Sequence, residues 1–204
     1  MDHRVPSWPL DARRSIRASR CAPTHSSLPH SSLAVTTEEM ALTRRLAGSP
    51  MPSITLQRIN GSRIGLRTVS LGWVVFYLYP GTDEISAAAG IDSPIEDAAQ
   101  HRAYCEREYR FRQLGVRPVG ISSQQHLEQL ATIRDHHIEH LMLIDPDLVL
   151  AEALGLPTFE LAERRWYRRL TLLAHDGVIE RAFYPIATAA NNPGQVLTWL
   201  QLHG

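Results

Sequence analysis

The chain has 204 residues, 44% of them hydrophobic, which is room for one ordinary domain and a tail. Basic and acidic residues balance at 21 each, so bulk charge offers no case for nucleic-acid or membrane binding. Every basic residue is Arg and none is Lys, which excludes Schiff-base catalysis, pyridoxal phosphate attachment and a P-loop lysine.

Residues 1–38 contain Pro, Ser, His and Arg without an apolar run. They read as a disordered extension ahead of a domain spanning 39–204, not as a secretory signal. No apolar run reaches membrane-spanning length, so the chain reads as a cytoplasmic protein. Cys21 and Cys105 do not make a disulfide framework.

In chain order, residues 38–47 suit a short helix. Residues 53–59 and 62–66 flank Asn60-Gly61, a hairpin signal of the type I′ kind. The run from Leu71 to Tyr79 is apolar almost throughout and ends at Pro80-Gly81, as expected of a strand buried on both faces. In open α/β sheets reacting groups sit beyond the carboxyl ends of such strands, which points to the loop from Tyr79 to about Asp97. Ser93-Pro94-Ile95-Glu96 has the cap and capping-box residues of a helix start, and that helix is predicted to run to Leu114 with Gly115 as its cap. Ala99, Ala103, Tyr104, Phe111 and Leu114 form its irregular apolar face, and the intervening charged residues a solvated one.

Val116–Ser122 is predicted as a strand, and Ser122 with Gln125 as the capping box of a helix reaching His136. Leu141–Ile144 is a buried strand, and Asp147 is expected to cap a short helix that ends at Gly155. Residues 166–174 and 178–184 are strands joined at His175-Asp176-Gly177, and 195–202 is a terminal helix. This order predicts a thioredoxin-like α/β domain, with a mixed central sheet, flanking helices and an N-terminal β-hairpin.

Three other clusters read as structure. His136-His137-Ile138-Glu139-His140 lies at a helix end, where the dipole favours His, and lacks converging metal ligands. Asp145 and Asp147 are explained by strand exit and capping. In Arg164–Arg169 basic and aromatic residues interleave, but alternation on a strand accounts for them and aims Arg169 at the loop after Pro80.

Phe76-Tyr77-Leu78-Tyr79-Pro80, the long helix ending Leu114-Gly115-Val116, Val119–Gln124, Leu143–Asp147, Leu150–Phe159 and Arg169–Leu173 followed by Asp176-Gly177 together resemble the peroxiredoxins. The closest branch is the bacterioferritin-comigratory type of the alkyl hydroperoxide reductase/thiol-specific antioxidant superfamily, and the likeness covers roughly residues 40–202. The resemblance implies a thiol peroxidase without cofactor or metal. A helix-start cysteine attacks hydroperoxides beside an Arg, and a thioredoxin-like reductant restores it. It also implies a possible homodimer. With Tyr104-Cys105-Glu106 laid on the family's Phe-Arg-Asp, the peroxidatic position falls near Asp97, or near Ser93 if an insertion is allowed. The resolving position falls on Arg102.

The resemblance therefore leaves two readings. One is a peroxide-reducing antioxidant enzyme with Cys105 as nucleophile, assisted by Arg169 and Thr82. The other is a lapsed relative that binds a small ligand or a protein partner in the former peroxide pocket.

Overall fold

A computed structural model describes residues 36–81, 85 and 96–204. Helix α1 (Thr37–Leu46) opens on Thr36, whose hydroxyl accepts from the Glu39 amide while Glu39 returns the bond, a reciprocal capping box. Strands β1 (Thr55–Arg58) and β2 (Arg63–Gly65) form the expected hairpin. Its turn differs from type I′. Four residues separate the strands, Gly61 alone takes positive φ (82°), and the Asn60 side chain accepts from the Ser62 amide. Helix α2 (Leu66–Val69) then leads into β3 (Trp73–Leu78).

Strand β3 is central, as its unbroken apolar run implies. It pairs in parallel with β4 (Val116–Ser122) and antiparallel with β8 (Leu170–His175). With β5 (Leu141–Ile144) and β9 (Val178–Phe183), the seven-stranded sheet runs β2-β1-β5-β4-β3-β8-β9. Alternate residues of β3 feed two cores. Val74, Phe76 and Leu78 pack with Leu46, Leu66, Leu150 and Leu154, whereas Val75, Tyr77 and Tyr79 pack with Tyr104, Phe111, Val196 and Leu200. The second group comes from α3 (Glu96–Gln113) and α6 (Asn192–His203). The mixed α/β architecture is thus the expected one. No helix among the described residues is long and apolar enough to cross a membrane.

Several local expectations give way to stronger local partners. Ser122 does not cap α4 (His126–Asp135). It is buried at the end of β4 and accepts from the Gln124 amide, and Gln125 with Glu128 makes the capping box instead. Asp145, not Asp147, caps α5 (Val149–Leu154), because its two carboxylate oxygens accept from the Val149 and Leu150 amides. The strand predicted over 166–174 is broken in two. Residues Arg164–Tyr167 form β7, which leaves the main sheet to pair with β6 (Thr158–Leu161), and β8 begins at Leu170. The helix start expected at Ser93 lies outside the described residues.

Gly120 shows how tightly the second core is built. A Cβ there would stand 2.4 Å from the Met142 sulfur and 2.8 Å from the Tyr77 ring. The thioether is flexible, but Tyr77 is fully buried and stacked on Tyr104 at 4.2 Å. Gly120→Ala is expected to cost about 1–3 kcal/mol through overpacking, read as a lower urea midpoint at unchanged slope.

Candidate functional site

The carboxyl end of β3 delivers Tyr79, Pro80 and Gly81 to one spot. Gly81 has φ of 150°, and a Cβ on it would lie 3.2 Å from both Ile85 and Trp166. Only glycine fits that backbone and that space.

Arg169, immediately before β8, is buried at 4% exposure next to the first turn of α3. Its Nη1 lies 2.7 Å from Asp97 Oδ1 and donates to Gln100 Oε1 at 2.6 Å. Asp97, Gln100, His101 and Tyr104 recur at three- and four-residue steps, so one face of α3 carries all four inward. Both members of the ion pair are at least 96% buried, where a guanidinium needs an anion and has one in Asp97.

Around this pair the second core is unusually polar. Tyr79 donates to Gln129 at 2.7 Å and also lies within bonding distance of Gln124. Burial and the Asp97 charge hold its phenol well above the ordinary range, so it stays protonated. His101 meets Tyr79 edge-on at 4.5 Å. Burial, with His136, His140 and Arg169 nearby, pushes its imidazole well below its ordinary value, so it is neutral at pH 7. Tyr104 and Thr171 both donate to Asn192 Oδ1 at 2.8 Å, which ties α3, β8 and α6 together.

The predicted site residues do not all meet here. Thr82 and Ser93 lie outside the described residues, and Arg102 is exposed. Cys105 is eight residues beyond Asp97, about 12 Å farther along the helix. Its half-buried thiol is pushed above its ordinary value, first by burial and then by Glu108 and Glu139. A thiol activated for nucleophilic attack is held down by cations or helix amides, the opposite environment. Asp97 is the residue found on Arg169.

Sequence reading missed Gln100, His101, Gln124 and Gln129 as buried polar residues. Gln100 and His101 had the helical spacing, but apolar patterning does not register a polar stripe. Among the described residues no group of His, Cys, Asp and Glu is arranged to hold a metal.

Solved structures with this architecture are numerous. Peroxidoxin BcpB from Mycobacterium tuberculosis matches with a TM-score of 0.65 at 17% identity, covering 78% of this chain and 97% of that one. The fold is that of the peroxiredoxins. Two more solved structures share this fold. The bacterioferritin comigratory protein of Xanthomonas campestris gives a TM-score of 0.62 at 17% identity, covering 76% of this chain and 92% of its own. Reduced Prx3 of Vibrio vulnificus, solved in complex with hydrogen peroxide, gives 0.65 at 21% identity, covering 77% and 96%. No protein-family model matches the sequence, and no curated protein matches it.

Proposed function

We propose that this chain is a redox protein of the peroxiredoxin family that reduces hydroperoxides, with Cys105 as its thiol and a thioredoxin-like protein as its reductant in the cytoplasm. The peroxiredoxin fold carries this reading. In the reaction the Cys105 thiolate bonds to one peroxide oxygen, the O–O bond breaks, and the departing oxyanion takes up a proton. The resulting sulfenic acid is returned to the thiol by a dithiol, which becomes a disulfide as water leaves. Arg169, immediately before β8, and Thr82, two residues after Pro80 in the sequence, would assist.

The raised thiol pKa sets the pH dependence. Only the deprotonated sulfur reacts, so turnover should climb about tenfold per pH unit from pH 7 until the thiol titrates. Cys105→Ser should abolish it. The assay is consumption of hydrogen peroxide and of an organic hydroperoxide in the presence of a thiol reductant.

One observation favours a second reading. Asp97 lies on Arg169, and a carboxylate neither attacks peroxide nor leaves that guanidinium free for a thiolate. The chain would then be a lapsed relative that binds a ligand or protein partner in the former peroxide pocket. A wild-type rate no better than free cysteine, unchanged in Cys105→Ser, would eliminate the enzyme reading and leave this one.

A further inference from the structure

A groove runs between the second half of α3 and α6, and its two parts differ in character. One part, of about 540 Å³, is walled by Phe183 at the end of β9 and by Trp199 and Leu202 of α6. The other, of about 340 Å³, is walled by Arg110, Gln113 and Gln201. Arg107, Gly194 and Thr198 line both, so the two parts are continuous.

The polar part is cationic. No Asp or Glu is among the described residues that line either part. Arg107 and Arg110 stand three residues apart on one face of α3, where like charges repel each other. Arg110 makes no hydrogen bond or ion pair among the described residues. Arg107 Nη1 donates to the Ala103 carbonyl at 3.2 Å and lies 3.6 Å from Glu106 Oε2. Glu106 stands one turn before Arg110 yet lies on Arg107, and that pair is open to water, with side chains 61% and 34% exposed. Such a pair contributes little, so another carboxylate can share or replace it.

The apolar part adjoins these cations. Leu202 is 73% exposed, and Trp199 is held by the rings of Trp73 and His203 at 6.2 and 4.6 Å. A small anion such as acetate would leave this apolar surface bare to water. A neutral chain would cover it but leave the two guanidiniums facing each other without an anion. A cationic amphiphile would be repelled by Arg107 and by Arg181, whose guanidinium stands 5.8 Å from the Phe183 ring. A carboxylate matches the guanidinium fork in shape and charge. We propose that this groove binds a single-chain fatty-acid anion, its carboxylate on Arg107 and Arg110 and its chain along Phe183, Trp199 and Leu202. This site is independent of the reading given to Arg169 and Cys105.

The test is an NMR titration of the full chain with octanoate, octanol, octylammonium and acetate. Octanoate should give saturable shifts at the Trp199 indole N–H and at the Leu197 and Leu202 methyls. Charge pairs this open to solvent are individually weak, so octanol should bind about three- to tenfold more weakly than octanoate. Octylammonium and acetate should bind more weakly than octanoate too, the first for its charge and the second for want of a chain. In the double variant Arg107→Gln with Arg110→Gln, octanoate should fall to the affinity of octanol while octanol binding is unchanged. The same spectra report whether the variant is folded. Equal binding of octanoate and octanol by the wild type, or a preference that survives in the double variant, would overturn the proposal. So would shifts at other groups, or no saturable shift below the concentration at which octanoate forms micelles.

Discussion

Replacing Arg169 with methionine is expected to destabilise the fold by about 3–5 kcal/mol, because it strands the Asp97 carboxylate in a site that is 98% buried. A carboxylate left in low dielectric without its cation loses both the Coulombic attraction and the hydrogen-bonding guanidinium, and burial prevents water from replacing either. The Gln100 carbonyl, 2.6 Å from the same Nη1, loses its donor as well. The loss should depend on pH in a definite sense. Without the cation, the folded state raises the Asp97 pKa above its unfolded value, so protonation relieves the strain. The deficit against wild type should therefore shrink as pH falls from 7 toward the unfolded carboxyl value and be largest above the raised one. Urea denaturation at pH 7 and pH 5 measures it. The double variant Arg169→Met with Asp97→Leu should recover most of the loss, since a buried ion pair replaced whole by apolar side chains is often neutral. A single variant as stable as wild type would show that the pair contributes nothing.

That pair also marks how far the sequence could be read. The sheet was legible because its strands are simple. Trp73–Leu78 and Leu141–Ile144 are uninterrupted apolar runs, which fit strands covered on both faces. The helix ends were legible where a chain terminus of hydrogen bonding is local, as at Gly155, whose φ of 59° suits a glycine cap. Errors arose where a side chain had a choice of partner. Ser122, Asp145 and Asp147 are all competent caps by residue type. The outcome differs because Ser122 accepts from the Gln124 amide, the Gln125 amide donates to Glu128, and Asp145 accepts from the Val149 and Leu150 amides.

The site was harder for a different reason. Asp97, Gln100 and His101 sit at spacings that an apolar residue would have made obvious; the likeness to peroxiredoxins singled out Asp97 alone, and Gln100 and His101, being polar, did not register on the apolar face. What reveals them is the far side of the contact: Arg169 immediately before β8, Tyr77 in β3 and Tyr79 just past its end. Those residues lie roughly 20–70 positions away in sequence, and no local pattern links them. Leu114 shows the converse error. It was counted with the apolar face of α3 and is 42% exposed, one residue past the helix end at Gln113.

The second large effect is a gain. A chain with Cys21 and Cys105 changed to Ser and Asp97 changed to Cys would carry its only thiol beside the Arg169 guanidinium, at the helix start. Both neighbours favour an anion there: the cation that now holds the carboxylate at 2.7 Å, and the positive end of the helix dipole. The new thiol should therefore titrate below the ordinary cysteine value, at about pH 7 or lower, followed by thiolate absorbance near 240 nm. Cys105 in the wild type should titrate in the other direction, above its ordinary value. At pH 7 the thiolate fractions then differ by more than about tenfold, and hydrogen peroxide consumption by the variant should exceed the wild-type rate by at least that factor. Stability should fall little, because one buried anion replaces another on the same cation. A thiol at position 97 that titrates at or above the ordinary value would mean that Arg169 does not poise an anion there. The likeness to peroxiredoxins would then stop at the backbone. A depressed pKa with rapid peroxide consumption would mean that the fold still holds the whole apparatus for the reaction, and that one side chain decides whether it runs.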